Sequence, residues 1–250
     1  MEKINFKSHF QSRYILKTDY SFPIIPVGNN KYFRFAELQK QKKRSWHSRP
    51  YEYAFVFNDL IKAYVMDFIK FDSIVLDLAC GANHPGYMML ADLFLVDKVV
   101  ATDSDKNLLT NDFNHPRVQK IIADATDIGF KEKSFDAIVC ISAIEHISDW
   151  RKVVREISYL LKPSGMAFVT FDISTDISKT MQHNIDDKLP CDYAAVFENF
   201  GLSIFGWYDD NLYNDSIDAI NSKYPLAKNK SELLNGQHNA LKTFKMVLRK

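Results

Sequence analysis

The sequence predicts an α/β fold: a mainly parallel sheet of about seven strands, helices on both faces, and a helical extension at the N-terminus. Three observations carry this expectation. Short runs of branched apolar residues alternate with stretches of helical periodicity through the middle of the chain. The first run, Ser73 to Ala79 (SIVLDLA), is apolar almost throughout instead of alternating, as a strand covered on both faces should be. Finally, 250 residues suffice for one such domain with an added cap but hardly for two full domains.

Taken in order, residues 1–70 form an accessory or cap segment in which aromatic and basic side chains alternate, Lys31 to Arg49 carrying a single acid, Glu37. Within it, Phe55, Leu60, Ala63, Tyr64 and Phe68 recur at helical spacing, so a helix leads into the main domain, residues 71–250. After the first strand, Tyr87 to Leu95 reads as a helix, Lys98 to Thr102 as a strand, and Lys106 to Asp112 as a short helix ended by His115 and Pro116. Val118 to Ala123, Phe135 to Ile141 and Met166 to Phe171 read as strands, with a helix from Trp150 to Leu161. Then come a helix at Asp192 to Phe200 and strands at Leu202 to Tyr208 and Leu241 to Leu248. Residues 173–190 and 209–239 are polar, weakly periodic insertions that would shape an acceptor pocket.

Composition excludes some classes of function. A formal net charge of +1 gives no global reason to expect a polyanion, so long nucleic acid is not favoured as a partner. No apolar run approaches the roughly 18 to 20 residues of a spanning helix, and the first residues lack a signal peptide's apolar stretch, so a cytoplasmic protein without membrane attachment is expected. Cys80, Cys140 and Cys191 are widely spaced, which suits neither a disulfide framework nor a metal site. The oligomeric state cannot be read from this pattern.

In open parallel sheets, ligands lie beyond the carboxyl ends of the strands where strand order reverses. Small Ala79 and Gly81 after the first strand would admit a ligand close to the backbone. Asp103 ends the second strand, where a carboxylate can accept from both hydroxyls of a ribose. Asp124 follows the third and could accept from an exocyclic adenine amine. Together they describe a nucleoside pocket without a phosphate requirement.

The blocks VLDLACG, VVATDSD, ADATDIGFKEKSFDAIVCISAIEHISD and LLKPSGMAFVT, in this order, resemble the class I S-adenosylmethionine (SAM) dependent methyltransferases. The likeness is to the type 11-like group, with a Glu-His or His-His pair after strand four and a Leu-Lys-Pro-x-Gly turn before strand five. It implies a Rossmann-like fold with an antiparallel last strand, and SAM as cofactor. By position it implies that Asp77, Ala79, Cys80 and Gly81 line the methionine end, that Asp103 and Ser104 hold the ribose, and that Asp124 and Ala125 read the adenine edge. Ile141 and Ser142 would lie beside the cofactor. The family's glycine-rich loop has Gly where this chain has Ala79 and Asn83. The loop Gly-Ala-Asn-His-Pro, with Arg-Pro-Tyr-Glu-Tyr at residues 49–53, is also similar to bacterial methyltransferases of surface-polysaccharide or modified-sugar pathways.

The acceptor implied is a small molecule, most simply a hydroxyl of a sugar, a nucleotide-linked sugar or a phosphate-bearing metabolite, and an anionic one if the basic run Lys40 to Arg44 takes part. His146 is the candidate base, although its place equally suits a hydrogen-bonded His at a helix start. Asp172 and His183 are alternative bases, and Arg49, Tyr51 and Tyr53 could close over substrate or simply pack. Two competing readings stand beside this one. A nicotinamide dehydrogenase shares the strand, glycine turn and distal acid but needs a Gly-x-Gly-x-x-Gly that this chain lacks. A noncatalytic SAM-binding or RNA-binding module would fit the altered loop and the basic run.

Overall fold

A computed structural model describes residues 56, 57, 59–61, 63–82, 86–92, 96–174, 190–204 and 241–250. Residues 173, 174 and 190 apart, both expected insertions lie outside this set, as do Arg49, Tyr51, Tyr53, Asn83 and His183.

Among the described residues, seven strands form one sheet: β1 (Ile74–Leu78), β2 (Lys98–Asp103), β3 (Val118–Ile122), β4 (Phe135–Ile141), β5 (Leu161–Ser174), β6 (Ser203–Ile204) and β7 (Leu241–Arg249). Their order is β3-β2-β1-β4-β5-β7-β6. The first five run parallel, while β7 lies antiparallel between β5 and β6. The chain moves outward from β1 to β3 and returns beside β1 as β4, which puts the reversal of strand order between β1 and β4. The fold is Rossmann-like, with the antiparallel last strand that the resemblance implied.

After β1, the helices among the described residues are α1 (Gly86–Asp92), α2 (Asn107–Thr110), α3 (Trp150–Leu160) and α4 (Pro190–Asn199), with a 3-10 turn at Ile144–His146. Strand β5 is longer than its apolar run suggested, because its pairing with β7 continues from Met166 to Ser174. Helix α2 is shorter than expected. Its end at Thr110 comes before Pro116 can act, as Asn111 turns into extended backbone at ψ 155°. The expected strand from Leu202 is described only at Ser203–Ile204.

Successive side chains of a strand point to opposite faces, and two apolar cores result. Leu76, Leu78, Ile138, Cys140, Val169 and Phe171 pack with Val153, Val154, Ile157 and Leu160 of α3 on one face. Val75, Val99, Ala101, Val139 and Phe168 pack on the other with Tyr87 and Met88 of α1 and with Phe57, Leu60 and Ile61. These last residues belong to the helix preceding β1. Of the residues expected on one helical face, Leu60 and Ala63 are buried and Tyr64 partly so, while the helix ends at Val65 and Phe68, partly buried against the same core, lies in the bend beyond it.

The turn into β5 fixes how that strand meets β4. Lys162 pairs with Asp136 at 2.8 Å, and the Asp136 carboxylate also accepts the Ile74 N–H at 2.8 Å, tying β1, β4 and β5 together at their starts. Gly165 is required at its position: a Cβ there would lie 2.8 Å from the Lys162 carbonyl oxygen and 3.1 Å from that of Asp136.

Candidate functional site

The carboxyl ends of β3, β2, β1 and β4 lie side by side, and the residues expected to bind a nucleoside follow directly from them. Leu78 is in register with Thr102, Asp103 with Ile122, and Asp77 with Val139. The sheet thereby gathers Asp77, Ala79, Cys80, Gly81, Asp103, Ser104, Asp124, Ala125, Ile141 and Ser142 along one edge.

After β1 the backbone turns through two left-handed residues, Ala79 at φ 53° and Gly81 at φ 75°. Glycine adopts this conformation freely, whereas alanine loses about 1 kcal/mol or more there. The family's preference for glycine at the Ala79 position thus has a visible cause. Three bonds hold the turn. The Cys80 N–H donates to the Thr102 carbonyl at 2.9 Å, the Gly81 N–H to Asp103 Oδ2 at 2.8 Å, and Asn111 Nδ2 to the Ala82 carbonyl at 2.6 Å.

Asp103 is half-buried, and its Oδ1 accepts the Asp105 N–H at 2.9 Å. Each carboxylate oxygen offers about two acceptor positions, so with one on each engaged, one on each is left for a diol. Ser104 beside it is exposed. Asp77 is buried within β1. Burial pushes the Cys80 thiol well up, and the negative charges of Asp77 and Asp103 push it further. Cys80 is therefore a neutral thiol rather than a nucleophile, and two acids, Asp77 and Asp103, converge on this turn. Their field favours a cation.

Asp124 is exposed, and its Oδ1 accepts from both the N–H and the Oγ1 of Thr126, each at 2.8 Å. Those two bonds, the backbone one foremost, hold its carboxyl below the usual range. Ala125 next to it is buried.

Beyond β4, Ser142 is buried and left-handed, at φ 45°. Its N–H donates to the Thr170 carbonyl at 2.9 Å and is shared with Thr170 Oγ1 at 3.1 Å. Ile141 pairs with Thr170 in the sheet. His146 ends the 3-10 turn with a half-exposed side chain, and its Nε2 lies 4.0 Å from Oε1 of the fully buried Glu145. Asp172 lies on β5 opposite Thr243 of β7, just past Thr170 and so at the same end of the sheet. Thr170, Asn111 and Lys120 were missed in the sequence. Thr170 could have been suspected from its place opposite the end of β4, but nothing local marks the other two.

The sequence model described as a methyltransferase domain matches residues 76–169. Over this stretch the chain is similar to the class I methyltransferases. The cofactor of the family is S-adenosylmethionine. Among curated relatives, the mouse mitochondrial arginine-hydroxylase NDUFAF5 is 27% identical over 135 residues, 51% of this chain and 38% of that protein. The demethylmenaquinone methyltransferase of Clavibacter sepedonicus is 28% identical over 159 residues, 58% of this chain and 63% of that one. The match thus spans well under half of the mouse protein and less than two thirds of the bacterial one. Among solved structures, the [4+2]-cyclase SpnF superposes with a TM-score of 0.56 at 15% identity, covering 81% of each chain. The Haemonchus contortus phosphoethanolamine N-methyltransferase 2 does so with 0.56 at 17%, covering 92% of this chain and 61% of its own. These two likenesses establish the fold alone.

The site's chemistry fits the family's cofactor. SAM is a nucleoside with a sulfonium cation, and the edge offers carboxylates at the β2 and β3 ends and a third acid, Asp77, beside a turn whose small residues leave the backbone accessible.

Proposed function

We propose that the chain is a SAM-dependent methyltransferase acting on a hydroxyl of a small molecule, such as a sugar, a nucleotide-linked sugar or a phosphate-bearing metabolite. The observation that carries the reading is the Gly81 N–H bond to Asp103 at the point of strand reversal. It ties the cofactor turn to the acid that has acceptor positions left for a ribose diol. Asp124 Oδ2 would accept from the adenine amine, Ala125 would flank the base, and Ile141 and Ser142 would flank the ribosyl side.

When bound, SAM supplies an electrophilic methyl group. The chain's tasks are to hold the acceptor in line, exclude water and remove the hydroxyl proton. His146 can take that proton as a neutral imidazole, with the Glu145 carboxylate nearby favouring the cation that forms. Asp172 stands at the same end of the sheet as an alternative base. The acceptor class rests on the resemblance of the Gly81 to Pro85 loop and residues 49–53 to polysaccharide-pathway methyltransferases, and on the basic run at Lys40 to Arg44, which suits an anionic acceptor. A cytoplasmic site of action is part of this proposal.

The test is calorimetric titration of the protein with SAM and, separately, NAD, followed by mass-spectrometric screening of nucleotide sugars and phosphorylated sugars for methyl gain. SAM binding with transfer to one of these classes is expected. NAD binding without SAM binding would replace the reading with a dehydrogenase. Gain of an oxygen instead of a methyl group, on an arginine-containing acceptor, would move it toward the activity named for the mouse relative.

A further inference from the structure

The turn that receives the cofactor is gripped from a second side by a polar cluster outside the family's motifs. Asn111, just past α2, is separated from Ala82 by 29 positions in sequence, yet its Nδ2 donates to the Ala82 carbonyl at 2.6 Å. The same nitrogen lies 3.0 Å from the hydroxyl of Tyr87, a fully buried residue of α1. Its Oδ1 accepts from Lys120 Nζ at 2.6 Å and from the Phe113 N–H at 3.1 Å, with the Tyr87 hydroxyl at 3.3 Å. Lys120 Nζ also donates to the Asn111 carbonyl and to Asn114 Oδ1, each at 3.3 Å.

This arrangement fixes which way the amide faces. An ammonium and a backbone N–H can only donate, so the oxygen of Asn111 must face them and its nitrogen must face Ala82. The ammonium is close enough to the turn to act electrostatically on the Cys80 thiol. The turn is therefore clamped on either side of its left-handed pivot: the Gly81 N–H is drawn to Asp103 and the Ala82 carbonyl to Asn111.

We propose that Asn111, oriented by Lys120, is a positioning residue that holds the Gly81–Ala82 turn in its SAM-binding shape and so sets the cofactor's affinity. The inference rests on SAM being the ligand of this turn. A flexible turn must be ordered when ligand binds, and that ordering subtracts from affinity. A turn clamped beforehand avoids this loss.

The decisive variant is Asn111→Asp. It keeps an oxygen for Lys120 and Phe113 but sets a second oxygen against the Ala82 carbonyl, removing the clamp while strengthening the pair with Lys120. By calorimetry, SAM and S-adenosylhomocysteine should each bind about tenfold more weakly, the scale of one such hydrogen bond. The thermal unfolding midpoint should stay near the wild-type value, which a merely structural role would not allow. Lys120→Met should also weaken SAM binding, and Lys120→Arg should restore it. In the ligand-free protein, hydrogen exchange at the Gly81 and Ala82 amides should speed up in Asn111→Asp.

Wild-type SAM affinity in a folded Asn111→Asp would overturn the proposal. If that variant does not fold, unchanged affinity in Lys120→Met would overturn it instead. If the wild-type protein itself binds no SAM, the cofactor reading fails separately. The exchange measurement then decides the clamp alone: faster exchange supports it and unchanged exchange refutes it.

Discussion

Two turns meet at the point of strand reversal, one after β1 and one after β4, and both pass through left-handed backbone. The first is held at Cys80 by the Thr102 carbonyl of the neighbouring strand and, beyond that, by two side chains, Asp103 and Asn111, one of them charged. The second is held by its sheet neighbour, where the Ser142 N–H meets both acceptors of Thr170. A turn fixed by remote side chains can be released by changing one of them without disturbing the sheet. A turn fixed by the adjacent strand moves only when that strand is displaced. The first turn is thus where ligand binding can be tuned, and the second belongs to the rigid scaffold.

This contrast can be broken or sharpened by five measurements, beginning with the largest effect. Asp103→Ala removes an ionised acceptor of two backbone N–H groups together with the proposed ribose contact. SAM affinity should fall about a hundredfold, as for loss of hydrogen bonds to a charged group, and calorimetry showing wild-type binding would remove Asp103 from the site. Gly165→Ala acts on the scaffold side by forcing a Cβ against the Lys162 and Asp136 carbonyls. Denaturant unfolding should show a loss of about 2 kcal/mol or more. An unaffected stability would mean that the start of β5 yields easily and that the second turn is less rigid than argued.

Thr170→Val deletes one of the two acceptors of the Ser142 N–H and leaves the carbonyl in place. The expected loss is about 1 kcal/mol in the same unfolding experiment, with little change in SAM affinity. A large drop in affinity instead would erase the distinction between the turns. Ala79→Gly relieves a left-handed alanine, partly offset by glycine's greater freedom in the unfolded chain. A stability gain of about 0.5 kcal/mol is expected, and a loss would mean that the alanine methyl makes contacts worth more than the strain.

The smallest effect concerns pH. Asp124 has its folded pKa depressed by Thr126, so its contribution to stability is complete above the unfolded pKa and is lost as pH falls through the lower folded value. Thr126→Val deletes the hydroxyl donor and keeps the N–H. The folded pKa should rise toward the ordinary range, so the contribution shrinks and its loss on acidification is complete at a higher pH. An NMR titration of the Asp124 carboxyl carbon that fails to move would mean that the backbone bond alone sets the value.

Most of the parallel sheet could be read directly. Phe135–Ile141 has the same limits in sequence and structure, because a buried apolar strand is bounded by the polar residues around it. The limits of β5 and α2 could not be read, since the first depends on pairing with β7, far along the chain, and the second on where Asn111 leaves the helix. The site divided in the same way. Asp103 and Gly81 stood out by residue type at a strand end, but the bond joining them did not. Thr170, Asn111 and Lys120 were hidden because a hydroxyl, an amide and an amine have no distinguishing context until the fold supplies their partners.

By itself the sequence determined the alternation of strands and helices, the acids at the ends of β2 and β3, and the methyltransferase-like order of its blocks. These follow from local periodicity and residue chemistry. Only the tertiary structure decided that Ala79 is left-handed, that Asp103 is shared between the turn and an open acceptor position, and that Asn111 faces Ala82 with its nitrogen. Each of these depends on groups distant in sequence being brought to hydrogen-bonding distance, and that proximity comes from packing the two cores against the sheet.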